Sequence, residues 1–299
     1  MKNKILLSCF FLVSIFEHGT LTGNQQSLEN KVTSKIFKNI LLIVNFNHPY
    51  YENIEFLKKL YSPFFEKIIF YGEEYHPEVI QVKTQHGFYI CDVLFHALQN
   101  YSNVEGYLFL EDDCILNIWN LFSLNFNKIW LLPGFTGSPT NVIYQPHYIW
   151  TNMASGAFSL ASWWGWQWLS VAKEAFAKLK EKDKKMMETN FGKNILVGTA
   201  ADMFYFPKKF REEILRLCPL FKNVFIEITI PTILGCLESK DHWEKVSIWH
   251  TTSTDYITEY LKKQWPIKHT CIHPVKLSNQ VNRKTVTDIF KKMIPNTYN

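Results

Sequence analysis

Alternating apolar and amphipathic segments between residues 39 and 110 constrain the fold of this chain more than any other feature. The apolar segments have the length of strands that are covered on both faces, and the others carry apolar residues at helical spacing beside charged ones. Strands are predicted at 39–46, 67–72, 79–82 and 106–110, and helices at 51–61 and 88–100. Strands alternating with helices predict an α/β fold with a mostly parallel central sheet flanked by helices.

The pattern is less regular after Cys114. We predict a strand at 128–132, a charged helix that ends near Lys185, a loop over 187–198 and a helix over 208–217. Residues 225–237 form a further apolar element with a single carboxylate. The chain shows no internal repeat, so one domain over 39–285, followed by a tail over 286–299, is the simplest organisation.

The N-terminal segment 1–23 resembles a targeting sequence. Lys2 and Lys4 precede the apolar run Ile5–Phe16, which is shorter than the roughly 20 residues that a spanning helix needs. A cleaved signal peptide and a short uncleaved anchor both fit, with a polar stem over 24–38. We therefore expect the protein to lie in the lumen of the endoplasmic reticulum or Golgi or to be secreted. Contact with the membrane is expected only through this segment. The sequon at Asn100 is consistent with that location.

Charge and cysteine content exclude two classes of protein. A net charge of +5 spread over 299 residues is too small for a nucleic-acid-binding surface. The five cysteines after residue 23 include no C-x-x-C pair, which argues against a zinc module and leaves one or two disulfides open.

Three adjacent carboxylates, Glu111, Asp112 and Asp113, follow the strand predicted at 106–110. In parallel α/β sheets, ligands bind at this carboxyl edge. Burying three such charges without a cation is costly, and Mg²⁺ and Mn²⁺ prefer carboxylate and phosphate oxygens. Neighbouring strand residues point to opposite faces, so both aspartates reach one ion only if the chain turns. We expect Asp113 to bind the metal and Asp112 to orient a ribose hydroxyl or a metal-bound water; a solvated turn or helix cap is the alternative.

The segment 107–115 resembles the metal-binding D-x-D-type motif of GT-A-fold glycosyltransferases, in the form of a hydrophobic strand followed by E-D-D. Glu111 occupies the first place of the motif and departs from a strict D-x-D. The resemblance extends to the order of elements over 39–276. It implies a GT-A-like, Rossmann-related fold with a less regular C-terminal half that binds the acceptor. It also implies a transfer, dependent on Mn²⁺ or Mg²⁺, from a nucleotide sugar, UDP-sugar first, to a glycan or protein hydroxyl. Inversion is the expected stereochemistry, and the sequence leaves retention open.

The same resemblance implies roles for residues in the second half. His273 would complete the metal shell, with His250 as the alternative, and Lys276 would neutralise the diphosphate. Asp202 and Glu227 each stand alone in apolar surroundings and are the candidate general bases. A turn cap for Asp202 and an outward-facing position for Glu227 are the structural alternatives.

Three further segments are candidates for the rim of the cleft. In the loop after the first strand, Asn47 is expected near the nucleotide base, with Tyr50 as the alternative. The tryptophans at 163, 164 and 166 offer a sugar platform, although we expect at least two of them to pack in the core. Ser155–Phe158 would let backbone approach a ligand.

Two other functions remain open at the level of the sequence. One is a lumenal protein of the same fold that binds a nucleotide sugar or glycan without turnover. The other is a metal-dependent phosphoesterase, although the second ligand cluster that such enzymes usually need is not evident.

Overall fold

A computed structural model describes residues 37–84, 86–132, 148–250 and 254–298. The predicted leader, most of the predicted stem and the loop predicted at 133–139 lie outside these ranges. The strands are β1 Ile40–Asn45, β2 Lys67–Gly72, β3 Val79–Gln81, β4 Gly106–Glu111, β5 Ile115–Leu116, β6 Trp130–Leu131, β7 Ile149–Asn152, β8 Ile195–Gly198, β9 Met203–Pro207, β10 Ile248–His250 and β11 Cys271–His273. The helices are α1 Ile54–Tyr61, α2 Ile90–Asn100, α3 Ile118–Leu121, α4 Leu169–Ala177, α5 Glu181–Phe191, α6 Arg211–Phe221, α7 Ile226–Gly235, α8 Thr254–Lys263, α9 Gln280–Met293 and α10 Pro295–Tyr298.

The central sheet has six strands in the order β3-β2-β1-β4-β9-β6. The first four are parallel, as the alternation of strands and helices predicts, and β1 and β4 pair so that Asn45 lies opposite Glu111. β9 runs antiparallel to both β4 and β6. The fold is therefore α/β with a mixed central sheet flanked by helices, an arrangement compatible with a Rossmann-like fold.

Both faces of the sheet are covered, which explains why β1 and β4 are apolar throughout. Side chains of α2, α6 and α7 pack on one face, and those of α1 and α9 pack on the other. On the first face Phe109 stacks on Phe204 of β9 with ring centroids 4.6 Å apart. Each large apolar side chain buried in these layers contributes about 1.5–3 kcal/mol relative to exposure.

The prediction for residues 169–198 is wrong in two places. The single charged helix is two helices, α4 and α5, and the predicted loop over 187–198 contains the end of α5 and strand β8. Tertiary contacts override the polar, loop-like composition, because Asn190 is buried and its amide donates to the carbonyls of Gly235 and Glu238 at the end of α7.

The predicted boundaries at both ends also differ from the structure. The tail predicted from residue 286 begins inside α9, where Val286 and Phe290 are buried in the core. Arg283 of the same helix donates to Asn53 Oδ1 at 2.7 Å, beside the start of α1. Phe37, placed in the stem, is buried with its ring 5.1 Å from that of Phe65.

A small three-stranded sheet brings the last part of the chain to the acidic triplet. β11 pairs in parallel with β10 and antiparallel with β5, which follows Asp113 closely. His250 and His273 therefore lie side by side in register. The five cysteines in the described part of the chain are buried free thiols. Among the described residues no helix is both long and apolar enough to cross a membrane.

Candidate active site

A cavity of about 860 Å³ opens at the carboxyl ends of β1 and β4. The predicted site residues that line it are Asn47, Glu111, Asp112, Asp113, Asp202, Glu227, His250, His273 and Lys276. The edge of the sheet thus collects side chains from segments separated by up to 229 positions, consistent with the rule that α/β sheets bind ligands there.

The chain turns immediately after Glu111. The Asp112 N–H donates to the carbonyl of Asn45 at 2.9 Å, and the Cys114 N–H donates to that of Glu111 at 3.0 Å. Because of this turn, the side chains of Asp112 and Asp113 both line the cavity instead of pointing to opposite faces of a strand. Burial, together with the charge of Asp113, raises the pKa of Asp112 well above its usual value.

Glu111 supports the site from beneath. Its buried carboxylate accepts hydrogen bonds from Asn45 Nδ2 at 3.1 Å and from Asn47 Nδ2 at 2.9 Å. Burial raises the pKa of Glu111, although the bond from Asn45 opposes this. Asn47 Oδ1 also accepts from the Gly87 N–H at 3.2 Å. The amide of Asn47, predicted to contact a base, therefore links the loop after β1 to Glu111 and to the segment before α2.

Asp113, His273 and Lys276 come together as the sequence predicts. His273 Nε2 lies 3.1 Å from Asp113 Oδ1, and the Lys276 ammonium binds Asp113 Oδ2. The Val275 N–H donates to the backbone carbonyl of Asp113 at 2.6 Å, which fixes the two segments together. Burial opposes ionisation of Asp113, but His273 and Lys276 lower its pKa below the usual range.

Asp202, which the sequence analysis named as a candidate general base, belongs to the same cluster. Its Oδ1 lies 3.5 Å from His273 Nε2, and its backbone carbonyl accepts from the Glu111 N–H at 2.9 Å. Burial opposes protonation of His273, but Asp202 and Asp113 raise its pKa to about 9. Without a divalent cation, a positively charged His273 between two carboxylates balances part of their negative charge.

His250 completes a candidate metal centre with Asp202 and His273. One donor atom from each of the three residues lies within 4.8 Å of the others, and the two imidazole rings stack with centroids 5.1 Å apart. Burial and the neighbouring His273 lower the pKa of His250 to about 4, so this ring is neutral and able to bind a metal at neutral pH. The sequence offered His250 only as an alternative to His273, whereas parallel pairing of β10 and β11 supplies both.

Two buried atoms in this cluster point to a ligand. Asp202 Oδ2 and His273 Nδ1 have no hydrogen-bond partner among the described residues. Buried polar groups are normally paired, and leaving one unpaired costs about 1–3 kcal/mol. The donor set of imidazole nitrogens and carboxylate oxygens fits a divalent transition-metal ion.

Glu227 lies in the first turn of α7 and is distinct from the metal cluster. Its Oε2 is buried without a hydrogen-bond partner, and its backbone carbonyl accepts from the Thr199 N–H at 3.0 Å. Burial, and then the charge of Asp202, raise the pKa of Glu227 well above its usual value. Glu227 therefore lines the cavity and carries one buried carboxyl oxygen without a partner among the described residues.

The tryptophans at 163, 164 and 166 divide into two environments. Trp163 and Trp166 are buried, as expected for at least two of them, and Trp164 remains 52% exposed. Trp163 and Trp164 both line the cavity. Trp168, which sequence reasoning did not single out, also lines the cavity. Ser155–Phe158 is absent from the described lining and forms a turn beside β7.

The sequence matches no family model. Two Arabidopsis thaliana proteins named Probable glycosyltransferase STELLO1 and Probable glycosyltransferase STELLO2 are each 22% identical to it over 191 residues. The match covers 60% of this chain and 22% of each relative, so the chain spans about a fifth of the length of the relatives it matches. The chain is thus similar, over part of its length, to proteins named as probable glycosyltransferases.

Proposed function

We propose that this protein is a metal-dependent glycosyltransferase of the GT-A type that transfers a sugar from a nucleotide sugar, UDP-sugar first, to a hydroxyl group. The observation that carries the proposal is the convergence of Asp113, Asp202, His250 and His273 beside Lys276 at the carboxyl edge of an α/β sheet. Its partners are a nucleotide-sugar donor and a glycan or glycoprotein acceptor, and no nucleic acid is involved.

Asp113, Asp202, His250 and His273 would hold the cation. Mn²⁺ suits this mixture better than Mg²⁺, because imidazole ligands favour transition metals whereas Mg²⁺ prefers oxygen alone. When bound, the cation supplies positive charge to the diphosphate oxygens. Loss of the His273 proton on binding would relieve the crowding of positive charge beside Lys276.

Lys276 is positioned to neutralise the leaving group. Its ammonium binds Asp113 Oδ2, and the side chain retains 45% exposure toward the cavity. Burial disfavours the charge, but Asp113 raises the pKa of Lys276 above its usual value, so the ammonium form persists at neutral pH. A fixed cation at the departing oxygen stabilises the negative charge that develops in the transition state. We assign Asp112, at the turn, to the ribose or to a metal-bound water.

Glu227 is a better general base than Asp202. Asp202 lies 3.5 Å from His273 and belongs to the metal cluster, whereas Glu227 lines the cavity apart from that cluster and has a raised pKa. A base with a raised pKa accepts a proton more readily at neutral pH. Glu227 would remove the proton of the acceptor hydroxyl, whose oxygen attacks the anomeric carbon while the bond to the diphosphate oxygen breaks. Attack opposite the leaving group inverts the anomeric configuration.

A nucleotide-sugar panel tests the proposal. Thermal shift and transfer assays with Mn²⁺, with Mg²⁺ and with chelator should identify a donor that binds and reacts best with Mn²⁺. Asp113→Ala should abolish transfer, while Asp241→Ala, an exposed carboxylate outside the cavity, should leave it unchanged. Absence of a metal-dependent shift with every nucleotide sugar would contradict the proposal, and binding without transfer to any acceptor would favour a non-catalytic binding protein.

A phosphoesterase has less support. Within the described ranges only one group of at least three His, Cys, Asp or Glu residues has metal-binding geometry, whereas hydrolases of this kind commonly use two ions. Hydrolysis of a generic phosphate ester by the purified protein would favour that alternative.

Action within the secretory pathway remains a prediction. Asn100 of the sequon is exposed at the end of α2, where an oligosaccharide can be accommodated. Glycosidase treatment of protein expressed in a eukaryotic host should reduce its mass, and Asn100→Gln should remove that difference.

A further inference from the structure

One side of the cavity is aromatic. Phe88, Trp164, Trp168 and Phe225, here called the aromatic wall, all line the cavity and form a continuous set of ring contacts. Trp164 is 52% exposed, whereas Phe225 behind it is buried. Trp163 also lines the cavity but is buried, so of these two indoles Trp164 offers the larger open surface to a ligand.

Neighbouring rings hold Trp164 in place. Its ring centroid lies 4.6 Å from that of Phe225 and 5.1 Å from that of Trp168, both in edge-on geometry. Phe225 in turn stacks on Trp168 at 4.9 Å. A large flat surface fixed in this way binds a ligand without first losing side-chain freedom.

The aromatic wall is joined directly to Glu227. Phe225 precedes the first residue of α7, and Glu227 is the second residue of that helix. The Ile226 N–H donates to the Gly87 carbonyl at 2.8 Å, which anchors this turn beside Phe88. The aromatic wall and Glu227 therefore border the same cavity.

The chemistry of the aromatic wall favours a neutral, hydroxylated ligand. None of its four side chains is charged. The cation Lys276 belongs to the segment that follows β11 and pairs with Asp113. A diphosphate requires such cations and is disfavoured beside Glu227, which lies apart from the metal cluster. A pyranose presents an apolar C–H face to an indole and directs its hydroxyls sideways to polar groups.

We infer that the aromatic wall, through Trp164, binds a pyranosyl unit of the acceptor, so that the acceptor is a carbohydrate and not a polypeptide side chain. The role of this ligand as an acceptor rests on the proposed function. Binding of a sugar by the aromatic wall does not require transfer and can be tested without it. Trp164 is thereby a substrate-binding residue of the proposed site.

Saturation-transfer NMR without any nucleotide sugar tests the inference. The probes are neutral oligosaccharides of glucose, xylose, mannose and N-acetylglucosamine, together with Ser- and Thr-containing peptides. Wild-type protein should saturate the ring C–H protons of at least one oligosaccharide. Trp164→Ala should weaken its binding about tenfold or more, the size expected for loss of one well-placed aromatic contact. Trp164→Phe, which retains a ring, should bind with intermediate strength.

Trp150 provides the matched control. It is also a tryptophan with an exposed ring, at 37%, but it lies on β7 outside the described lining of the cavity. Trp150→Ala should bind like the wild type. Unchanged binding in both Trp164 variants, equal weakening by Trp150→Ala, or binding of the peptides alone would overturn the inference. Failure of the proposed function appears separately, as the absence of a metal-dependent shift with nucleotide sugars.

Discussion

Replacement of Glu227 by Gln should separate proton transfer from binding. The change keeps the shape of a side chain in the first turn of α7 and removes only its ability to accept a proton. Wild-type Glu227 is half-buried, and its buried Oε2 has no hydrogen-bond partner among the described residues, so the amide breaks no hydrogen bond at that atom.

The expected loss lies in kcat. General-base catalysis contributes about 10²–10⁴-fold, which corresponds to roughly 3–5 kcal/mol of transition-state stabilisation. Transfer should be measured at saturating donor, acceptor and Mn²⁺, so that kcat and not KM is compared. Because burial and the charge of Asp202 raise the pKa of wild-type Glu227, the melting temperatures of the two proteins should converge as the pH falls.

Two matched carboxylates control the experiment. Asp202→Asn should weaken Mn²⁺ binding, measured by calorimetry, by at least 10–100-fold, the loss seen when even an outer partner of a metal ligand is removed. Glu238→Gln makes the same chemical change at a half-buried carboxylate that pairs with Lys209 at 3.5 Å outside the cavity, and it should retain full activity. A different result would contradict this assignment. If Glu227→Gln keeps kcat within threefold, while Asp202→Asn lowers kcat strongly and leaves Mn²⁺ affinity unchanged, then Asp202 is the general base and Glu227 is not.

Three further predictions follow from the same geometry. In chelator, the free energy of unfolding should fall by about 2 kcal/mol as the pH rises from 7 to 9, measured by urea titration. The folded pKa of His273 is about 9 against an ordinary 6.5, so its protonation stabilises the fold fully below pH 6.5, and this contribution is lost as the pH rises through 9. A flat profile would contradict the His273 environment. Lys276→Ala should lower kcat about 100-fold or more, as for removal of one charge-stabilising donor, and an unchanged rate would exclude a role at the leaving group. Gly87→Ala places a Cβ 2.6 Å from the Phe225 ring at a φ of +80°, whereas Gly156→Ala, at a φ of +72°, meets nothing within 4 Å. Both variants should lose about 1–2 kcal/mol of folding stability to the left-handed backbone, and Gly87→Ala should lose about 1–3 kcal/mol more to overpacking. Equal melting temperatures of the two variants would refute the clash.

The parallel half of the sheet could be predicted because its signal is local. Strands β1 and β4 are buried on both faces, so their sequences are apolar throughout, and α2 shows its buried face directly through the spacing of Val93, Leu94 and Ala97. The acidic triplet was recognisable for the same reason, since it interrupts an apolar strand at its carboxyl end.

Strand β9 was missed although a signal was present. Met203–Pro207 consists largely of aromatic residues that favour strands, but sequence reasoning treated the segment only as apolar surroundings of Asp202. The insertion of β9 between β4 and β6 is a long-range pairing that spacing does not encode. Because this pairing places Asp202 beside Glu111, its grouping with the imidazoles could not be predicted from the local sequence.

The candidate metal centre depends on docking of the C-terminal segment, and Asn117 is central to that docking. Asn117 is fully buried, its amide donates to the carbonyls of Pro266 at 3.0 Å and His269 at 2.7 Å, and its Oδ1 accepts from Trp265 Nε1 at 2.8 Å. These bonds hold the segment before β11 against the segment that follows the acidic triplet. Since a ligand that binds only the native state stabilises it by an amount that grows with its concentration, a cation bound by Asp113 and His273 would stabilise this docking together with the fold. The carboxylates alone, on one strand end, are a site of like charges, and it is the folding of a distant segment onto that strand that gives them imidazole and ammonium partners.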